Sequence, residues 1–330
     1  MRTVTVAAGR VQPVWAGHPW VFAQAIERVD GAPTGGDVVE VRDPRGNFLG
    51  RGFWSPGSAI PVRILTRDPE DLLDTASLAR RLDRAAEWRR RELGLPSEDT
   101  TGYRLVHSEG DQLPGLIVDV FGDVAVVQLL TVGMKRREDW LFGEIARVAR
   151  AKTVIEVPGG QAQKREGLSV EPRVVRGTDV EELRFRERGL ELRIELPIAQ
   201  KTGYYFDQRD NRALVERMAS GKRVLDLYAY VGSFALAAAR GGAIEVQAFD
   251  SSAGAIAQGA SIAAANGLGA RIAFARADVR RLLGELAGAG KHFDMVIVDP
   301  PKLAPSARHL PKARTAYRKL NAGAIRLLGD

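Results

Sequence analysis

From Asn211 onward, strand-like and helix-like runs alternate on short links, and that alternation leaves little choice of fold. RVLDLY, IEVQAFD, ARIAFARAD and FDMVIVD read as strands, while SFALAAAR, AGAIAQGASIAAANG and VRRLLGELA read as helices. Parallel strands joined through helices must use crossovers, and right-handed crossovers lay the helices over an open twisted sheet. The pattern therefore predicts a Rossmann-like, doubly wound α/β domain over residues 196–330. Ligands of such sheets sit beyond the carboxyl ends of the strands.

That edge is acidic. Each of the four strands runs into an aspartate: Asp226, Asp250, Asp278 and Asp299. A single aspartate there would be read as the N-cap of the next helix. Four on one edge read instead as a site, because recurring carboxylates at strand tips call for ligand hydroxyls and amines to satisfy them. Asp250 lies 24 residues after Asp226, near the spacing of a ribose-binding acid in dinucleotide folds. A dinucleotide, however, needs glycines where backbone approaches the pyrophosphate, and the corresponding turn here is YAYVGSF, with only Gly232. A bulky turn suits a cofactor without phosphates. S-adenosylmethionine fits: Asp250 for the ribose hydroxyls, Asp278 for the adenine amine and Gly232 for room beside the methionine part. Tyr228, Ser251 and Val279 neighbour these positions and join the expected cofactor set.

Upstream the character changes twice. Residues 1–67 read as a β-rich domain, with RTVTV, DVVEVRD, FLGRGFW and AIPVRILT separated by Gly, Pro and Asp turns. Leu72 to Leu93 has a helical period and a dense arginine face, which predicts a linker helix within residues 68–102; the arginines meet either RNA or solvent. Residues 103–195 predict a small α+β domain. In it GLIVDVF and VAVVQLL flank a turn, WLFGEIARVAR is helical, TVIEV is a strand and ELRFRERGLELRIEL is a hairpin around RGL. QAQKREGLSVEPRVVRGTD between them reads as irregular.

The chain contains no cysteine, which removes disulfides and thiolate metal sites. Its four histidines include no i, i+4 pair, so no metal is expected. MRTVTVAAGRVQPV lacks the apolar core of a signal peptide, and no apolar run approaches the roughly 20 residues of a membrane span. The expectation is a cytoplasmic protein with no membrane partner, and a homodimer is compatible with it. Lys and Arg exceed Asp and Glu by 48 to 41, a balance compatible with nucleic acid but not diagnostic of it.

VLDLYAYVGSFALAAA, the preceding KTGYYFDQRDNR, the later DPPK and the early HPWVF together resemble the RlmI-type large-subunit ribosomal RNA methyltransferases. The resemblance covers nearly the whole chain in the same order. It implies a PUA-like domain, a small α+β domain and a class I S-adenosylmethionine-dependent methyltransferase domain acting on large-subunit ribosomal RNA. It also implies that His18, Pro19 and Trp20 face RNA or belong to the domain core, and that Gln208 and Arg209 lie over the cofactor. Tyr204, Tyr205 and Phe206 pack either on a base or adenine, or in the core.

In DPPK, the two prolines end the strand and fix Asp299 as the catalytic carboxylate, with Lys302 beside it. Nitrogen-methylating enzymes commonly put an aromatic residue where Lys302 stands, so its presence favours carbon methylation, which the resemblance assigns to C5 of cytosine. That chemistry uses a thiolate adding at C6, and the resemblance places the thiol after the next strand of the sheet. The expectation is a methyltransferase domain incomplete at its C-terminus. Two alternatives stay open: N7-guanine methylation, which needs no thiol, and a non-catalytic RNA-binding protein.

Overall fold

The computed structural model describes residues 2–304 and 306–329. It divides into two compact units: Met1–Gly189 with Ala199–Tyr204, and Leu190–Ile198 with Tyr205–Asp330.

The first unit opens with β1 (Thr3–Val6), the short helix α1 (Gln12–Trp15), β2 (Trp20–Val21), β3 (Ile26–Asp30), β4 (Val38–Arg42), β5 (Phe48–Trp54) and β6 (Val62–Thr66). These strands form one sheet in the order β2-β6-β5-β4-β1-β3. Val4, Val6, Val39, Val41, Val62 and Ile64 build its core. The four β-branched runs read from the sequence are β1, β4, β5 and β6, while β2 and β3 are not among them.

Helix α2 spans Thr75–Leu93, three residues later than the helical period suggested. Asp74 sets the start, its side chain accepting from Ser77 N at 2.8 Å, and Gly94 ends the helix at φ 62°. The helix connects β6 to the strand at Gly102–His107 and is packed along its length. Leu78, Leu82, Ala85 and Ala86 form one buried face, packed with Leu105, Val118, Leu141 and Ile145 in a shared core. Its arginine face is divided. Arg81 is buried against Asp71 at 2.8 Å and Arg89 against Asp111, so these two cations are structural.

The second sheet of this unit has the order β11-β10-β9-β8-β7. Its strands are β7 (Gly102–His107), β8 (Leu116–Phe121), β9 (Val124–Leu129), β10 (Thr153–Glu156) and β11 (Arg173–Arg176), with α3 (Val132–Lys135) and α4 (Glu138–Ala149) after β9. The stretch expected to be irregular in fact carries α5 (Gln161–Arg165) and β11, which pairs antiparallel with β10. Pairing overrode its polar composition: Arg173 leaves the strand to reach the buried Glu156 at 2.8 Å. β12 (Glu182–Glu187) and β13 (Leu190–Glu195) lie on either side of the RGL turn, where the division between the units falls.

In the second unit, α6 (Arg209–Met218) precedes the alternation. There follow β14 (Arg223–Leu227), α7 (Ser233–Arg240), β15 (Glu245–Asp250), α8 (Ala253–Ala265), β16 (Ile272–Arg276), α9 (Val279–Gly288), β17 (Met295–Val298) and α10 (Leu310–Ile325). All pairings are parallel in the order β16-β15-β14-β17. This is the doubly wound sheet expected, and its strand order reverses at β14. Leu225 and Leu227 pack with Leu282, Leu283, Phe293 and Leu320, which seats α9 and α10 over the sheet. A parallel bridge from Phe293 to Leu328 brings residues 327–329 alongside β17. Among the described residues no helix is long and apolar enough to cross a membrane, and no cluster of His, Asp and Glu could hold a metal ion.

Candidate active site

The reversal of strand order assembles the site. Leu227 pairs with Phe249 on one side and Val298 on the other, which sets Asp250 and Asp299 on either side of Tyr228 at the carboxyl edge. Asp226 lies inside β14, two residues before Tyr228, and is 1% exposed. Its Oδ2 accepts from Ala235 N at 3.0 Å in the first turn of α7. Burial pushes the Asp226 carboxyl up to about 7; the charges of Asp299 and Asp250 add to this and the Ala235 N–H opposes it.

The turn between β14 and α7 is strained. Tyr228 and Tyr230 hold φ 63° and 54°, a region that disfavours side chains, and Gly232 follows at φ 73°. Asp250 stabilises it: one carboxylate oxygen accepts from Tyr230 N and the other from Ser252 N, both at 2.9 Å. The Tyr230 hydroxyl donates to Ile198 O at 3.1 Å, and its ring meets the edge of Tyr205 with centroids 6.1 Å apart. Burial raises the Tyr205 phenol first, and the charges of Asp299, Asp207 and Asp250 raise it further, so Tyr205 stands within this acidic field.

The four strand-end acids are therefore not equivalent. Asp278 is exposed and caps α9, its Oδ1 accepting from Arg280 N at 2.9 Å and Arg281 N at 3.4 Å. Oδ1 thus caps the helix, which leaves Oδ2 for the expected adenine amine, while Asp226, Asp250 and Asp299 form the cluster. Val279 is buried in the core with Leu282. Gly232 has a structural reason besides the one the sequence suggested. A Cβ there would lie 2.8 Å from Phe274 Cζ and nearer still to Cε1, so packing and backbone conformation demand the glycine. Ser251 is exposed and its carbonyl accepts from Arg276 Nε at 3.0 Å. Gln208 is half-buried before α6, accepting from Asn211 Nδ2 at 2.7 Å, and Arg209 is the first residue of that helix. Lys302 is exposed, and the loop after it is tied by Leu303 N to the Tyr317 hydroxyl at 3.4 Å.

Tyr204 falls elsewhere. It is 2% exposed in the first unit, edge-on to Phe185 with centroids 5.0 Å apart, and so takes the core alternative. Phe206 is likewise buried. In the same first unit Trp20 is half-buried, its indole N–H donating to Glu109 at 2.7 Å. His18 is exposed against the Trp20 edge with centroids 5.7 Å apart, and Pro19 lines a cavity of about 730 Å³. That cavity mixes Arg67, Arg80 and Arg84 with Asp68, Glu70 and Asp71, so its charge selects neither sign strongly.

The electrostatics of the second unit do select a sign. The charges of Asp250 and Asp299 both act on Asp226, and acids gathered at one edge favour a cationic ligand, whereas a pyrophosphate would add to the repulsion. A sulfonium and an ammonium fit this edge; NAD does not.

Comparison with known proteins agrees. Residues 4–67 match a PUA-like domain model, and residues 161–323 match a model for S-adenosylmethionine-dependent methyltransferases. The chain is 38% identical to ribosomal RNA large subunit methyltransferase I of Shewanella denitrificans, over 98% of this chain and 82% of that protein. The namesake from Aeromonas salmonicida is 36% identical over the same shares. Among solved structures, a Streptococcus mutans protein assigned as an S-adenosylmethionine-dependent methyltransferase superposes with TM-score 0.81 at 20% identity. Another, assigned as a methyltransferase and complexed with SAH, superposes with TM-score 0.82 at 21% identity. Both cover all of this chain and 84% of their own, and both speak to the fold.

Proposed function

Because the chain belongs to the ribosomal RNA large subunit methyltransferase I family, we propose that it methylates a nucleotide of large-subunit ribosomal RNA, and specifically C5 of a cytosine. The observation that carries the reading is the convergence of Asp226, Asp250 and Asp299 on a turn with no phosphate-binding glycine loop. S-adenosylmethionine, when bound, supplies an electrophilic methyl group. Asp250, which already fixes the YAYVG turn, keeps lone pairs for ribose hydroxyls. Gln208 and Arg209 would cover the cofactor, and Tyr205 would close its edge.

The finer acceptor rests on DPPK. Asp299 is exposed, held by two prolines, and suited to hold the amino group and N3 of an unstacked cytosine. Lys302 stands where a stacking aromatic would favour nitrogen chemistry. Methylation at C5 forms a carbon–carbon bond and must then release the C5 proton. The covalent route first adds a thiolate at C6, and these 330 residues hold no cysteine to supply it. N7 of guanine, which needs no such adduct, is the second reading.

The test combines calorimetry with nucleoside mass spectrometry on naked large-subunit ribosomal RNA. The chain should bind SAH and the RNA and give no heat with NAD, and the methylated nucleoside it forms should be 5-methylcytosine; 7-methylguanine would overturn the acceptor. Failure to bind SAH or RNA would overturn the function itself.

A further inference from the structure

Between Asp299 and Asp330 the sequence holds seven lysines and arginines and no acid. In the second unit this run becomes α10, and it flanks a cleft of about 620 Å³ against α9. Lys312, Lys319 and Arg326 line the cleft at intervals of seven residues. Seven residues advance a helix by about 10 Å and drift only ~20° around it, so the three cations form one row. Arg280 lines the cleft from α9. None of Lys312, Lys319 and Arg326 makes an ion pair with another described residue. Cations gathered on one face without counter-charges repel one another, and an anionic partner relieves that repulsion.

The interior of the cleft is apolar. Leu283 and Leu320 form part of it, and Gly284 leaves open space where a Cβ would sit. One end touches the strand-tip site at two points: Tyr228 follows Asp226 by two residues, and Leu303 follows the DPPK lysine. A row of cations beside an apolar trough, ending at the reacting edge, matches a strand whose phosphates run along one side and whose sugars and bases run along the other.

We propose that the α9–α10 cleft holds single-stranded RNA flanking the target nucleotide, its phosphates on Lys312, Lys319, Arg326 and Arg280 and an unstacked base between Tyr228 and Leu283. The assignment rests on the ribosomal RNA reading above and adds the surface that receives the strand. It also explains the absence of acids from residues 300–329: a carboxylate on that face would repel the phosphates.

The test uses the whole chain, a single-stranded 12-mer RNA and fluorescence anisotropy across a salt series. A triple Lys312→Ala, Lys319→Ala, Arg326→Ala variant should bind at least ~10-fold more weakly. Its log K against log salt should flatten by about 2, at roughly 0.7 for each single-strand phosphate that the variant leaves unneutralised. A matched control, Arg308→Ala, Arg314→Ala, Arg318→Ala, removes equal charge outside the cleft lining and should change affinity far less. Gly284→Leu narrows the trough without altering charge and should weaken binding at an unchanged salt slope. SAH affinity equal to wild type certifies that each variant is folded. Equal losses in the two triple variants, or wild-type binding in the cleft variant, would overturn the proposal. A wild-type chain that binds SAH but no RNA would instead overturn the ribosomal RNA reading, and the cleft's role with it.

Discussion

Replacing Asp226 by asparagine tests the electrostatic core of the site in the absence of any ligand. The carboxyl is pushed up to about 7 chiefly by burial, against a reference of 3.8. Between those values the folded protein keeps a proton that the unfolded chain has released. The unfolded state then binds fewer protons, so the contribution of Asp226 to stability is greatest below about pH 4 and is lost as pH rises through 7. Three units at about 1.4 kcal/mol each give a loss on the order of 4 kcal/mol by pH 8. Asparagine cannot ionise, and its carbonyl can still accept from Ala235 N. Its amide N–H groups would enter a buried space without a partner, at a cost of about 1–3 kcal/mol. The variant should therefore be less stable than wild type at pH 4 and more stable by roughly 1–3 kcal/mol at pH 8. Tryptophan fluorescence would report the wrong region, because Trp15, Trp20, Trp54, Trp88 and Trp140 all lie in the first unit. Hydrogen exchange of β14 peptides, corrected for intrinsic rates, reads the second unit directly. A difference between variant and wild type that does not change sign with pH would refute the reasoning.

The parallel, doubly wound sheet was legible because short-linked alternation requires crossovers, and the acids were legible because they end apolar runs. What each acid does was not. Asp226 and Asp278 look alike in the sequence, yet one lies within its strand beside a parallel partner on each side, and the other lies two residues past its strand, where a helix begins. The YAYVG turn defied propensity for a tertiary reason: two tyrosines occupy positive φ, and the Asp250 bond to Tyr230 N holds them there. Helix α2 was legible as a helix but its packing was not, since an apolar stripe shows that a face is buried without showing against what. The acid-free run after DPPK was in plain view, but it acquires meaning only when α10 lies beside α9 and the cations at 312, 319 and 326 fall on one lining.

Asp250→Ala should weaken S-adenosylmethionine binding by about 2–4 kcal/mol in calorimetry and loosen the YAYVG turn, because two backbone N–H groups lose their acceptor. Gly232→Ala should destabilise the second unit by about 2–4 kcal/mol through overpacking and positive φ, and Phe274→Leu in the same chain should recover part of that loss. In the first unit, Asp119→Ala removes the buried bidentate acceptor of Arg104, bound at 2.8 Å and 2.9 Å, together with the acceptor of the Thr202 hydroxyl, and should cost about 3–5 kcal/mol in urea unfolding followed by tryptophan fluorescence. Asp299 and Asp278 give the sharpest contrast. Both are exposed acids beyond strand ends, but only the charge of Asp299 adds to that of Asp250 in raising Asp226. Asp299→Asn removes one negative charge from the cluster, so Asp226 should titrate lower and the pH at which β14 protection falls should move down. The same change should reduce the preference for the sulfonium cofactor over its uncharged product SAH, since only the former carries the charge that the cluster attracts. Asp278→Asn should leave that preference intact and shorten the protection of the first turn of α9, because its role is to cap the helix. Paired calorimetry with both ligands separates the two outcomes. Equal loss of sulfonium preference in both variants would mean that the whole strand-tip edge acts as one field, and the division of the four acids into a cluster of three and a helix cap would be wrong.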